Sequence, residues 1–371
     1  MFRVGVLTTS RADWGLIRPL VKCVHDDPET ELCLFVTGSH LAPSFGLTIS
    51  DIDFPISERF DILYDSDSEL AVAASAGNAI DMCVRALARQ NPGVLVVLGD
   101  RSETLACCMA ARMLRVPIAH ISGGEVTAGS LDDSWRHCIT KLASLHFTYC
   151  EEYSKRVMQL GEFPDKVFNV GFIALDGLKK RKWLGRRYGQ FVVAWHPNTL
   201  TDRLEQQKEV HLLLDALEKR DETIYFASAN ADGGGRWINE AFKKVCENRH
   251  NWHFLDMNRE QFLERCRASD ALIGNSSAGI YEMPAIGVPT INVGDRQKGR
   301  LMALSVIECN IKGIRWALRL LFKETFQQWV RNDYPLKYMG KGAARKIHEI
   351  IKAKLNEGLS VRKEFYDYGT D

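Results

Sequence analysis

Short, continuously apolar runs alternate with longer amphipathic stretches along the whole chain. VGVLTT (4–9), LCLFVT (32–37), VLVVLG (94–99), PIAHIS (117–122) and LHFTYC (145–150) are rich in Val, Ile and Leu and too short for helices, which predicts strands. Between them, 15–26, 69–90, 103–115 and 131–143 space their apolar residues three and four apart, which predicts helices. The pattern then restarts. FVVAWH (191–196), TIYFAS (223–228), WHFLD (252–256), ALIGN (271–275) and PTINVG (289–294) read as strands, with helices at 205–219, 236–248, 259–268 and 279–286.

Strands without polar alternation, separated by helices, imply parallel sheets covered on both faces. The expected fold class is therefore α/β, with two Rossmann-like domains, 1–178 and 190–339, facing across a cleft. The basic stretch KKRKWLGRRYG (179–189) is the expected linker, and the amphipathic segment within 340–371 is expected to pack back on the first domain. In open parallel sheets, ligands bind beyond the carboxyl ends of the strands, so chemistry is sought just after each strand.

Composition narrows the function classes. Among 371 residues, 48 Lys plus Arg face 47 Asp plus Glu, a formal charge of +1, whereas binding along a phosphate backbone usually shows as a basic excess. No nucleic-acid partner is expected. The ten cysteines are scattered without a C-x-x-C pair, and the ten histidines form no H-E-x-x-H, so no metal is expected. No G-x-G-x-x-G follows a strand, which weakens dinucleotide binding, and no cofactor is expected. No apolar run approaches the ~20 residues that span a bilayer, and the N-terminus lacks a leader pattern. The expectation is a cytoplasmic protein with no membrane partner.

Seven polar segments follow strands. TTSRADWG (8–15) offers Arg11 at a helix start, suited to an anion, although Asp13 could equally be a helix cap. GDRSET (99–104) sets Asp100 beside Arg101, either a structural ion pair or a catalytic group beside a substrate clamp. HISGGEVTAGSLDDSWRHCITK (120–141) gathers His120, Glu125, Asp132, Asp133, Arg136, His137 and Lys141, more acids and bases than helix capping needs. Asp132 and Arg136, four apart, could pair on a helix face. In the second half, AWHPNT (194–199), SANADGGGR (228–236), GNSSAGIYE (274–282) and NVGDRQKGR (292–300) occupy equivalent positions. GNSSAG joins a strand to a helix, where hydroxyls and free N–H groups hold phosphates. Its serines could also be plain N-caps.

In this order and spacing, TSRADWG, GDRSET, the 120–141 segment, GNSSAGIYE and GDRQKGR resemble the hydrolysing UDP-N-acetylglucosamine 2-epimerases over nearly the whole chain. The resemblance implies a glycosyltransferase-B type fold, UDP-sugar as substrate, and a homo-oligomer, dimer or tetramer. It implies conversion of a UDP-linked 2-acetamido sugar (UDP-N-acetylglucosamine or a 2,4-diacetamido-trideoxy relative) to UDP and the free 2-epimer. Such a product feeds nonulosonate synthesis of the sialic or legionaminic acid type. By motif, Arg11, Arg101, His196, Asn275, Ser276, Ser277, Glu282 and Arg296 resemble UDP-binding positions, and Asp100 and Asp132 resemble catalytic ones. One departure stands out: many members carry Glu where this chain has Ser122, so either Glu125 or His120 takes over or the elimination is arranged differently here. A glycosyltransferase of the same fold, or a nucleotide-sugar sensor, remain the alternative readings.

Overall fold

Strand β1 (Phe2–Thr8) runs into helix α1 (Arg11–Asp26) through Ser10, whose hydroxyl accepts the Asp13 amide hydrogen as N-cap. This is the first βα unit of a computed structural model that describes residues 1–66, 68–181, 187–230, 232–331 and 342–369. The first half continues through β2 (Thr30–Thr37), β3 (Glu58–Phe60), α2 (Glu69–Gln90), β4 (Val94–Leu98) and α3 (Ser102–Met113). It goes on with β5 (Ile118–Ile121), α4 (Asp132–Leu142), β6 (Leu145–Thr148), α5 (Glu151–Gln159) and β7 (Val167–Asn169). All seven strands are parallel, in the order β3-β2-β1-β4-β5-β6-β7. The direction of winding reverses between β1 and β4, so the residues leaving those two strands diverge around a crevice.

The second half begins with β8 (Gln190–Ala194), α6 (Arg203–Leu217), β9 (Thr223–Ala227), α7 (Gly235–Glu247) and β10 (Trp252–Leu255). It continues with α8 (Arg259–Arg267), β11 (Ala271–Gly274), α9 (Ala278–Ile286), β12 (Thr290–Val293), β13 (Val306–Cys309), α10 (Ile314–Leu321) and α11 (Glu324–Arg331). Its sheet is also wholly parallel, β10-β9-β8-β11-β12-β13, with the reversal between β8 and β11. Alternate residues of one strand enter two different cores: Phe191 and Val193 join Phe226, Phe242 and Trp252, whereas Val192 and Ala194 join Leu272, Met283 and Ile286. That two-sided burial is why the strand reads as an unbroken apolar run.

Helix α12 (Ala343–Asn356) returns to the first half and packs on α1. Asp176 caps its start, accepting from the amides of Gly342 at 2.8 Å and Ala344 at 2.9 Å, while His348 and Lys352 reach Asp27 at 2.9 and 2.6 Å.

The chain forms two compact units. One holds Met1–Glu125, Asp132–Asp176 and the described C-terminal residues; the other holds Val126–Leu131 and the described residues from Gly177 to Arg331. The polar segment 120–141 is therefore shared between units rather than confined to the first. Of the expected linker, 182–186 lies outside the described residues.

Three-residue β3 and β7, together with α5, β13, α10 and α11, have no counterpart in the sequence pattern. The first two are sheet-edge strands too short to show a period. Among the described residues one helix, α2, is long and apolar enough by length and average composition to cross a bilayer, 22 residues with a window of mean hydropathy 1.3. Its alanines raise the average without any continuous apolar run. Ala79, Cys83, Ala86 and Leu87 of this helix are core residues, and it packs on α3.

Candidate functional site

In the first unit, the ends of β1 and β4 carry the expected residues. Arg11 opens α1 and pairs with Asp51 at 3.3 Å. The Thr9 hydroxyl donates to Asp13 at 2.6 Å, so Asp13 braces the turn while Ser10 caps the helix. Burial pushes the Asp13 carboxyl above the usual range, opposed by the charge of Arg101. Arg101 itself donates to Glu103 at 2.5 Å. Beside it, Asp100 accepts from the guanidinium of Arg136, which also reaches Asp133 at 2.9 Å and the Glu125 carbonyl at 3.2 Å. Arg136 is thus tied to Asp133 and Asp100, and its 1% exposed side chain makes it the most buried charge of the segment. Asp132 is the first residue of α4 and half-buried.

His120 does not belong with the proton-transfer candidates. It lies within β5, fully buried; Nε2 meets the Gly99 carbonyl at 2.8 Å and Nδ1 meets the Thr140 hydroxyl at 3.2 Å. Burial lowers its pKa to about 3, so it is a neutral strut beneath the Gly99–Asp100 turn. Glu125 and Ser122 are buried at the exit of the same strand, and the Ser122 hydroxyl bonds to that of Tyr149.

In the second unit, His196 after β8 and Asn275 after β11 flank the reversal point. Asn275 Oδ1 accepts from the His196 amide at 2.7 Å, and its Nδ2 donates to the His196 carbonyl at 2.8 Å. The Asn230 amide donates to His196 Nδ1 at 3.1 Å, which places the proton of the neutral ring on Nε2, a donor suited to phosphate oxygens. Arg296 donates to the carbonyls of Pro197 at 3.1 Å and Asn275 at 3.3 Å, and Gln297 also holds the latter. Ser276 Oγ accepts from the Ala278 amide at 3.4 Å. Ser277 is the N-cap residue of α9, but its hydroxyl makes no capping bond, so the plain N-cap reading fails there. Glu282 is buried on α9 and pairs with Arg259 at 2.7 Å.

Residues 126–131 are stitched onto this second crest. The Ala128 amide donates to the Lys298 carbonyl at 3.0 Å, and the Leu131 amide to the Thr199 hydroxyl at 2.9 Å. Gly129 is required by proximity, since a Cβ there would stand 2.2 Å from the Asp295 carbonyl oxygen.

Two strand-end crests of this kind, one acidic and arginine-rich, the other offering N–H and hydroxyl donors, match a known set of proteins. The profile of the UDP-N-acetylglucosamine 2-epimerase family matches residues 22–352. The chain belongs to that family. A hydrolysing GDP/UDP-N,N'-diacetylbacillosamine 2-epimerase of Campylobacter jejuni is 34% identical, over 88% of this chain and 89% of its own. Polysialic acid biosynthesis protein P7 of Escherichia coli is 34% identical over 99% and 98%. The crystal structure of the Neisseria meningitidis UDP-GlcNAc 2-epimerase bound to UDP-GlcNAc superposes with a TM-score of 0.77 at 15% identity, covering 96% of this chain and 100% of that one. The fold is the glycosyltransferase-B type of the family's solved structures.

Sequence reasoning missed several residues that this epimerase-family fold brings to its strand ends. Asp51 and Tyr149 carry no motif. Asn230 and Gln297 lie inside quoted motifs but were given no role. The signal available for Arg136 was its place four residues after Asp132, which gives no hint of Asp100, thirty-six positions away.

Proposed function

We propose that the chain is a hydrolysing 2-epimerase that converts a UDP-linked 2-acetamido sugar and water to UDP and the free 2-epimer. The observation that carries this reading is the Asp100 carboxylate, fixed at the end of β4 by the buried Arg136 in a family whose members act on UDP-sugars. The C2 proton of such a sugar is not flanked by a carbonyl, so its removal is coupled to departure of a good leaving group. A carboxylate takes the C2 proton, the C–H electron pair forms the C1–C2 double bond, and the C1–O bond breaks with its pair leaving on UDP. Water then adds across the 2-acetamidoglucal: its oxygen bonds to C1 and a proton is delivered to C2 on the opposite face.

Two positioned acid–base groups are needed, and Asp100 and Asp132 fill these roles, with Glu125 sharing the transfer. Arg11, Arg101 and Arg296, the Nε2–H of His196 and the hydroxyls of Ser276 and Ser277 stabilise negative charge growing on the diphosphate. Asn275 holds the His196 backbone, and Glu282 accepts from ribose hydroxyls. His120, buried and neutral, supports the Asp100 turn. The likeness to the Campylobacter enzyme and the presence of Ser122 both favour a 2,4-diacetamido-trideoxy sugar.

Incubation with UDP-N-acetylglucosamine and with UDP-N,N'-diacetylbacillosamine in deuterated water, followed by NMR, tests the reading. The expected products are UDP and a free sugar inverted and deuterated at C2. Transfer of the sugar to an acceptor with C2 unlabelled would identify a glycosyltransferase instead.

A further inference from the structure

We propose that Tyr149 is a positioning residue for this reaction: its hydroxyl tethers Ser122 in a left-handed backbone conformation and so fixes the turn that Arg136 grips while it holds Asp100. The inference rests on the epimerase reading only for its kinetic consequence.

Ser122 has φ +86°. A residue with a Cβ is disfavoured there, and such a conformation persists only where its surroundings over-determine it. Of the three other described non-glycine residues at positive φ, Leu47 is exposed, Asn91 is the C-cap of α2 and Arg115 directly follows the C-cap of α3. Ser122, by contrast, is buried between a strand and the polar turn. Two bonds hold it: its amide donates to the Phe147 carbonyl at 3.0 Å, and its hydroxyl bonds to Tyr149 Oη. Tyr149 cannot drift, because its ring is 3% exposed and lies 4.3 Å from that of Phe172.

Beyond Ser122 the turn has no slack. A Cβ on Gly124 would stand 2.2 Å from the Tyr153 carbonyl oxygen, and the Gly124 carbonyl accepts from Arg156. The next carbonyl, that of Glu125, accepts from Arg136, whose other terminal nitrogen holds Asp100. Releasing Ser122 therefore shifts Glu125 directly and Asp100 through Arg136, while residues 126–131 keep their own bonds to Lys298 and Thr199.

The test compares wild type, Tyr149→Phe, Ser122→Gly and the double variant for kcat, KM, UDP affinity and melting temperature. Phenylalanine keeps the ring packed on Phe172 and removes the hydroxyl that tethers Ser122. Tyr149→Phe is expected to lower kcat by about 10–100-fold, the scale of a catalytic group misplaced by up to an ångström, with UDP affinity unchanged. Ser122→Gly in that background is expected to restore most of the loss, because glycine holds a positive φ untethered. Wild-type kcat in Tyr149→Phe, or a loss that glycine does not rescue, overturns the proposal. A crystal structure of Tyr149→Phe decides the tether independently of turnover. Ser122 leaving the left-handed region with a displaced Arg136–Asp100 pair supports it, and an unchanged turn overturns it. Wild type failing to release UDP from any sugar defeats the epimerase reading alone.

Discussion

Arg136, on α4, reaches back to Asp100 at the end of β4, thirty-six positions away in sequence, and holds Asp133 with the same guanidinium. Its side chain is 1% exposed, so truncation takes a buried guanidinium away from two partly buried carboxylates. Arg136→Ala should lower unfolding free energy by about 3 kcal/mol, the low end for a broken buried pair because both carboxylates keep some solvent. Arg136→Lys restores the charge but cannot fork, so it should recover part of the stability and little of the turnover. Urea denaturation alongside UDP release checks both halves.

Ser277 and Arg296 should separate in the size of their effects on UDP. The Ser277 hydroxyl makes no capping bond, so Ser277→Ala should leave melting temperature unchanged and weaken UDP by about 1 kcal/mol, one hydrogen bond. Arg296→Ala removes the charged partner proposed for the diphosphate and should cost about 2–5 kcal/mol of binding. Calorimetry with UDP measures both; equal, small losses would place the diphosphate elsewhere.

Two glycines make an opposed pair for stability. Gly129→Ala places a methyl 2.2 Å from the Asp295 carbonyl oxygen, against the backbone of Asp295 and Arg296. Overpacking of this kind costs about 1–3 kcal/mol, and UDP binding should weaken with it because Arg296 is the adjacent residue. A Cβ on Gly77, inside α2, would meet nothing within 4 Å. Gly77→Ala should therefore stabilise by about 0.5–1 kcal/mol through helix propensity. Differential scanning calorimetry reads both signs.

Acid should weaken the first unit through its buried histidines. Burial holds His120 neutral with a pKa of about 3 and His40 at about 4, against 6.5 for the ordinary side chain. Between 6.5 and those values the unfolded chain binds more protons than the folded one, so stability is full above pH 6.5 and falls as pH drops below it. At pH 5.5 each histidine should account for a loss of roughly 1.4 kcal/mol. Melting temperatures from pH 7.5 to 5.5 should decline less steeply in His40→Gln, which can keep bonds to Thr8 and Thr48. An identical slope would show that His40 carries none of it.

The periodic part of the fold was legible because its cause is local. A strand covered on both faces must be apolar at consecutive positions, as in Val94–Leu98, and a helix covered on one face must repeat every three to four residues, as in Arg203–Leu217. The motifs were legible for a related reason: a parallel sheet gathers its strand exits at one edge, and Asp100, His196 and Asn275 all lie within two residues of the last residue of a strand.

What tertiary structure alone decided is which of those residues meet, and which way each points. Pairing of β1 with β4 and of β8 with β11 is a choice among non-local partners that no local period encodes. His120 and Ser122 are two residues apart, yet one is a neutral strut inside the sheet and the other turns out at φ +86° onto Tyr149. Side-chain direction at a strand exit depends on the backbone angle there, and that angle is set by contacts with Phe147, Tyr149 and Tyr153 from the next strand and helix. The same holds for Val126–Leu131, which joins the second unit because Gly129 can lie against Asp295. The sequence determined the elements and the chemistry at their ends; long-range packing, acting on single backbone angles and single absent methyl groups, determined the site.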